Sequence, residues 1–350
     1  MSQETNLDRR RFFGSAAMTV AATQLGTIAF ANAQPSKTEQ TRLSTAVRPA
    51  AHVSFGSIKG IDAGLLHVAY AEAGPSDGPA VVLLHGWPYD IHSYVDVAPL
   101  LAGAGYRVIV PYQRGYGPTR FLSSGTFRNG QQSVAAVDAI ALMDALKINK
   151  AIVGGFDIGA RTANVMAALW PDRVKAMVSV SGYLITNLEA QKKPLPPAAE
   201  LNPWWYQYYF STERGRAGYD ENRHEFAKLI WHTASPNWHF DDATFDRSAA
   251  AFNNPDHVSI IIHNYRWRLS LAQGETKYDD LERKLQQYPV LAVPTITIAS
   301  DFDGAAADGT PYAKFFSGKY AHRIFKGVGH NVPQEAPDAF AKAIVDVDRF

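Results

Sequence analysis

The feature that most constrains this fold is an alternation of short apolar runs with helically spaced ones, broken once and then resumed. From His52 onward, residues 65–71, Ala80–Leu84 and Arg107–Pro111 read as strands: short, apolar and bounded by turn residues. Residues 133–146 carry Val134, Val137, Ile140, Ala141, Met143 and Leu146 at helical spacing. A buried strand over 151–154, a helix over 159–170 stopped at Pro171, and a strand over 175–181 follow. From Gly182 to about Val290 the pattern gives way to mixed helical periods rich in Trp, Tyr, Arg and His, with no strand signal. It resumes at 294–299, and 322–325 is the last strand before a closing helix over 333–350. Strands alternating with helices imply an α/β class with a mostly parallel sheet covered on both faces. The expected organisation is therefore one α/β core in two parts, residues 52–182 and 291–350, interrupted by a helical cap over 183–290. Such an insertion would cover the carboxyl ends of the strands, where α/β sheets bind ligands.

The N-terminus reads differently. Asp8-Arg9-Arg10-Arg11-Phe12-Phe13 precedes a weakly apolar run that ends at Phe30, and Ala31-Asn32-Ala33 fits a small-x-small cleavage pattern. Gly14, Ser15, Thr19, Thr23, Gln24, Gly26 and Thr27 make the run too polar and short to span a bilayer. The arginine pair followed by two phenylalanines resembles a twin-arginine export signal; a disordered basic tail is the alternative. Residues 1–33 are thus expected to be a signal peptide cleaved near Ala33, and residues 34–51 a polar linker. The mature protein is expected to be periplasmic or secreted.

Composition closes several routes. The chain has no cysteine, which excludes disulfides, thiolate catalysis and cysteine–zinc sites. A formal net charge of +1 gives no reason to expect nucleic acid or an anionic membrane as partner. The histidines are scattered without metal-ligand spacing, so neither a metal nor a cofactor is expected.

Gly155-Phe156-Asp157-Ile158-Gly159 lies between an expected strand and an expected helix. It has the G-x-nucleophile-x-G form of a nucleophile elbow, with Asp157 at the centre. Alone, the pentapeptide reads equally as a turn or helix N-cap. Three other features add to it. His85-Gly86-Trp87-Pro88 follows the apolar strand Ala80–Leu84, so the Trp87 amide could face the elbow and complete an oxyanion hole with the Ile158 amide. His330 lies in Gly327-Val328-Gly329-His330-Asn331, between the last strand and the last helix. Asp303, in Ser300-Asp301-Phe302-Asp303-Gly304, could orient His330 from the strand before; Asp301 is the competing candidate. His85, Pro88, Phe156 and Arg161 would line the substrate site. Nucleophile, acid and base occur in the chain order expected of a strand–turn–helix elbow.

Over roughly residues 53–350 these motifs resemble the epoxide hydrolase and dehalogenase branch of the α/β-hydrolases, to which Arg114-Gly115-Tyr116-Gly117 adds. The resemblance implies a fold with an inserted cap, and an aspartate that attacks carbon directly. Aspartate is ionised at neutral pH, since its reference pKa is about 4. It can displace a leaving group and become an ester, which His330-activated water then cleaves. An epoxide oxygen leaves poorly and needs an acid, and phenols suit that task. Within the cap, Trp205-Tyr206-Gln207-Tyr208-Tyr209-Phe210 and His263-Asn264-Tyr265-Arg266-Trp267 resemble the two tyrosine motifs of epoxide hydrolase lids, with Tyr206 and Tyr265 at the matching positions. The alternative for both is simple packing. A small-molecule epoxide, apolar or aromatic to suit the lid tryptophans, is the expected substrate.

Haloalkane dehalogenases resemble the chain less, because Trp87 and Ile158 stand where they place halide-holding residues. Fluoroacetate dehalogenases carry arginines one and four residues after the nucleophile, where this chain has Ile158 and Arg161. A haloacid or haloalkane dehalogenase and a catalytically inactive binding protein of the same fold remain as other readings. Phe156, where many epoxide hydrolases have histidine, and polar Asn331 depart from the favoured pattern.

Overall fold

Strands β4 (Ala80–Leu84) and β7 (Ala151–Gly155) consist almost wholly of buried residues, as strands covered on both faces must be. They are neighbours at the centre of the sheet. The computed structural model describes residues 37–42 by their backbone, and residues 55–202, 204–301 and 308–350. The expected signal segment, its cleavage site and Asp303 lie outside the described residues.

The other strands are β1 (Lys37–Arg42), β2 (Lys59–Ala63), β3 (Leu66–Ala73), β5 (Arg107–Pro111), β6 (Arg120–Phe121), β8 (Val174–Val180), β9 (Thr295–Ser300) and β10 (Tyr320–Lys326). Among the described residues they form one sheet ordered β1-β10-β9-β8-β7-β4-β5-β3-β2, with β6 beside β3. Every pairing from β1 to β5 along that order is parallel, and the β5/β3, β3/β2 and β3/β6 pairings are antiparallel. Helices α1 (Val97–Gly103), α2 (Gln132–Ala145) and α3 (Ile158–Leu169) join the early strands. Between β8 and β9 the described chain is helical, including α4 (Trp205–Ser211), α5 (Glu213–Glu221), α6 (Arg223–Ala234) and α7 (His257–Arg268). Helix α8 (Pro337–Val347) closes the chain against α1. No helix among the described residues is long and apolar enough to cross a membrane.

Two features of this topology position the site. The chain leaves β4 towards β5 on one side and returns to β7 on the other, so the sheet order reverses at the β4/β7 pair. Crevices at such reversals, beyond the carboxyl ends of the strands, are where α/β sheets bind ligands. Leu84 is also in register with Gly155, so the segments that follow them emerge side by side at one level. The second feature is continuity of the core. One buried cluster runs from the sheet through Trp87 into Tyr206, Phe210, Tyr219 and Tyr265 of the helical insertion. Trp87 is buried, with its ring centroid 5.0 Å from that of Tyr206, 5.6 Å from Phe210 and 5.5 Å from Tyr265. Its Nε1–H donates to the Tyr219 hydroxyl at 2.8 Å, and that hydroxyl is 2.8 Å from His257 Nε2. Burial drives the His257 pKa down to about 3, so the ring is neutral and Nε2 accepts from Tyr219 while Nδ1 bonds the Gly115 carbonyl. The insertion is thus seated on the loop after β4 by both apolar contact and a buried polar chain.

The structure departs from the sequence expectations in three places. The closing helix is two: residues Val332–Glu335 form a short turn, and α8 begins at Pro337. Ala336 has φ −140° and ψ 59°, because a residue before proline is pushed out of the helical region and proline has no N–H to continue the ladder. Within the stretch expected to be a linker, β1 pairs in parallel with β10. Its sequence, KTEQTR, has no apolar residue, so no periodicity could reveal it. The hairpin β2/β3 was half seen, since β2 is mostly exposed and carries little apolar signal.

Candidate active site

Asp157 stands on the turn from β7 into α3. Its φ of 51° and ψ of −124° lie outside the regions an L-residue ordinarily occupies, a strain of about 1–3 kcal/mol that the surroundings must hold. The two flanking glycines make the turn possible by close approach. A Cβ on Gly159 would lie 1.9 Å from the Leu84 carbonyl oxygen, and one on Gly155 would lie 2.5 Å from the Gly159 carbonyl carbon. Gly86 is equally constrained, since a Cβ there would come within 2.5 Å of Asp157 Cβ.

Both expected oxyanion donors converge on Asp157 itself. The Trp87 amide donates to Asp157 Oδ1 at 3.1 Å and the Ile158 amide donates to the same oxygen at 2.6 Å. The other oxygen, Oδ2, lies 3.5 Å from His330 Nε2. The side chain is 16% exposed and that of His330 7%. Burial pushes the Asp157 pKa up, but His330 and the two amides outweigh it and hold the carboxyl below its ordinary value. It is therefore an ionised, partly dehydrated carboxylate with one oxygen held and one presented.

His330 is held by an arrangement that nothing in the sequence signalled. Its amide donates to Ser235 Oγ at 3.0 Å and to the Ala234 carbonyl at 3.2 Å, at the end of α6. Ser235 Oγ in turn donates to Glu335 Oε1 at 2.6 Å. Glu335 also accepts from the amides of Gly329 at 2.6 Å and Asn331 at 3.0 Å, either side of the histidine. Burial raises the Glu335 pKa against these donors. Glu335→Gln turns one acceptor into a donor facing the Gly329 amide. We expect it to cost about 1–3 kcal/mol, seen as a melting temperature several degrees lower, together with slower turnover. An unchanged melt and unchanged turnover would remove Glu335 from this role.

The other expected residues divide. Asp301 is exposed, and its Oδ2 accepts from the Gly327 amide at 2.7 Å, so it stabilises the turn after β10. His85 is fully buried with both ring nitrogens engaged: Nδ1 with the Gly86 carbonyl at 3.0 Å, Nε2 as acceptor from the Gln113 amide at 3.3 Å. Burial lowers its pKa, consistent with that neutral tautomer. Through these bonds it shapes the Gly86-Trp87 loop. Pro88 is buried too, its carbonyl accepting from Trp231 Nε1 at 2.7 Å. Phe156 is fully buried and packs edge-on to His330, with ring centroids 5.9 Å apart.

Tyr206 on α4 and Tyr265 on α7 meet above Asp157. Their rings are 5.5 Å apart at 85°, and each phenol feels the Asp157 charge. Burial first, then neighbouring negative groups, pushes both pKa values well up, so both phenols carry their protons at neutral pH and can donate. Tyr208 is exposed, away from this pair. Arg161 lies one turn beyond Asp157 on α3 and donates to the Leu184 carbonyl at 3.0 Å and Thr186 Oγ1 at 2.9 Å.

A strained aspartate on a strand–helix turn, two amides on its own oxygen and a loop histidine beside it define a class of protein. Residues 79–337 match the family model for the alpha/beta hydrolase fold, and the chain belongs to that family. Among its relatives is Epoxide hydrolase B of Mycobacterium tuberculosis, 34% identical over 160 residues, 42% of this chain and 44% of that one. That match spans less than half of the relative's length. The AB hydrolase superfamily protein YfhM of Bacillus subtilis is 30% identical over 57% of this chain and 68% of its own. A Klebsiella pneumoniae protein of known crystal structure, assigned provisionally as an epoxide hydrolase, is 57% identical over 86% of this chain and all of its own, with a TM-score of 0.83.

Proposed function

We propose that the protein is an epoxide hydrolase acting through an ester of Asp157. The observation that carries this reading is the pairing of two protonated phenols over a carboxylate whose other oxygen is already held by two amides. Asp157 Oδ2 attacks an oxirane carbon, the carbon–oxygen bond of the ring breaks, and Tyr206 or Tyr265 donates a proton to the departing oxygen. His330 then takes a proton from water, and the hydroxide adds to the Asp157 carboxyl carbon. The charge that develops on Oδ1 meets the Trp87 and Ile158 amides, which need not move. Collapse breaks the bond between the Asp157 carboxyl carbon and Oδ2, and the proton held by His330 goes to the released alkoxide. The second proton of the water, lost as Asp157 ionises again, returns to the tyrosine that gave up its own. The sum is epoxide plus water to vicinal diol. Asp303 is proposed as the group that orients His330.

The direct test is incubation of the mature protein with a terminal epoxide and, separately, with a haloacetate. Diol formation is expected. Halide release without diol would transfer the protein to the dehalogenases, and silence with broad panels of both would favour a binding role.

We further propose that the protein acts outside the cytoplasm. The support is the Arg9-Arg10 pair, Phe12-Phe13 and the Ala31-Asn32-Ala33 pattern. Fractionation of expressing cells should recover protein that begins near Gln34 in the periplasm or medium. Recovery solely from the cytoplasm with the N-terminus intact would overturn this.

A further inference from the structure

Two arginines share a pocket beside the nucleophile. Arg161 lies one turn beyond Asp157 on α3, its amide bonded to the Asp157 carbonyl at 3.0 Å. Arg268 lies one turn beyond Tyr265 on α7, its guanidinium 5.5 Å from the Tyr265 ring centre. Ile158, Arg161, Asn264 and Arg268 bound the pocket, with Gln132 and Thr186 completing its wall. Arg161 thus follows the nucleophile by one helical turn along α3, and Arg268 follows Tyr265 by one turn along α7.

Neither arginine is in a direct ion pair among the described residues, although the Asp157 charge acts on Arg161. The Arg161 head group bonds only neutral oxygens, those of Leu184 and Thr186. Among the described residues, neither Arg161 nor Arg268 is ion-paired with a carboxylate. Nearby arginines differ: Arg114 pairs with Asp138 at 2.6 Å, and Arg266 with Glu213 at 2.9 Å. Arg268 Nε and Asn264 Nδ2 are buried donors with no acceptor among the described residues. Burial, then the charge of Arg268, pushes the Arg161 pKa down to about 9, which leaves it a cation at neutral pH. Like charges and unused donors are costly in a partly dehydrated pocket unless an anion joins them.

We propose that this pocket holds the carboxylate of the substrate, so that the epoxide is a short epoxy acid rather than a neutral apolar one. The assignment of charge rests on the pocket, and the assignment of reaction rests on the epoxide reading above. The cations have a second effect on the same step. Arg268 and Arg161 pull the Tyr206 pKa down against burial and Asp157, which push it up, and so favour proton release to the opening ring.

The test compares glycidate with glycidamide, which differ in charge at nearly constant shape, on wild type, Arg268→Gln and Arg268→Lys. For wild type we expect kcat/KM to favour the acid by about tenfold to a hundredfold, the range of a charge-assisted contact. Arg268→Gln should collapse that ratio, chiefly through KM for the acid, and Arg268→Lys should keep part of it. Calorimetric binding of the non-reacting diols, glycerate and glyceramide, separates the two readings. Tighter binding of glycerate that Arg268→Gln abolishes supports the pocket even if glycidate is inert, and in that case the epoxide reading fails alone. Equal binding of the two diols, binding of neither, or a wild-type preference for glycidamide overturns the pocket whatever the reaction is.

Discussion

His330→Gln stops the reaction at the ester. Asp157 is ionised without help from a base, so alkylation survives the substitution while hydrolysis does not. Steady-state turnover is expected to fall by about a thousandfold, the usual scale of lost base catalysis. Intact-protein mass should rise by the mass of one epoxide, and the added mass should map to the peptide that contains Asp157. The rate of that mass increase should be flat over a range that begins at a higher pH than it does for wild-type alkylation, because the substitution removes the His330 influence that holds the carboxyl down and leaves burial, which pushes it up. Below that range the rate falls as the nucleophile takes up a proton. A clean, unmodified mass after incubation with a substrate that wild type consumes would rule out the ester route. Gln at this position keeps the backbone bonds to Ser235 and Ala234, so loss of the loop is not the expected cause.

Removing both lid hydroxyls strikes the other half of the cycle. Tyr206→Phe with Tyr265→Phe preserves the ring contacts with Trp87 and with each other while deleting the two hydroxyls proposed as proton donors. Each single substitution leaves one phenol at the site, and a loss of about tenfold to a hundredfold is expected for it. The double substitution should cost about 10²–10⁴ in single-turnover alkylation, the range of general acid catalysis. An ester already formed should hydrolyse at close to the normal rate, since that step uses His330 and the two amides. Equal losses in both steps would mean that the pair shapes the pocket rather than delivering protons. Retention of alkylation in the double variant would remove the main support for an epoxide as substrate and leave a halide as the better leaving group.

The two halves of the site differed in how much of them could be read beforehand. Asp157 and Ile158 were legible because an elbow is local: a strand, two glycines and a helix within a few residues. His330 was legible from its place after the last strand. The inward turn of His85 was not legible, because a histidine in a His-Gly turn can face either way and packing against Tyr116 and Gln113 decides it. Glu335 and Ser235 carried no signal at all, since a serine ending a lid helix and a glutamate in a short turn are ordinary in those places. Arg268 was passed over for the same reason, and its weight comes from the Arg161 it meets across the pocket.

By itself the sequence determined the alternation of the buried strands with helices, the interruption between β8 and β9, and the turn that lifts Asp157. Periodicity, glycine and proline act within a few residues, so these consequences follow wherever the rest of the chain goes. Only the tertiary structure decided that the Trp87 amide would bond Asp157 Oδ1, that Tyr206 would meet Tyr265, that Glu335 would brace the His330 loop and that Arg161 would share a pocket with Arg268. Each of these joins elements far apart in the chain. Their distances depend on how the sheet registers β4 against β7 and how the aromatic core seats the insertion on Trp87, and no local pattern encodes either.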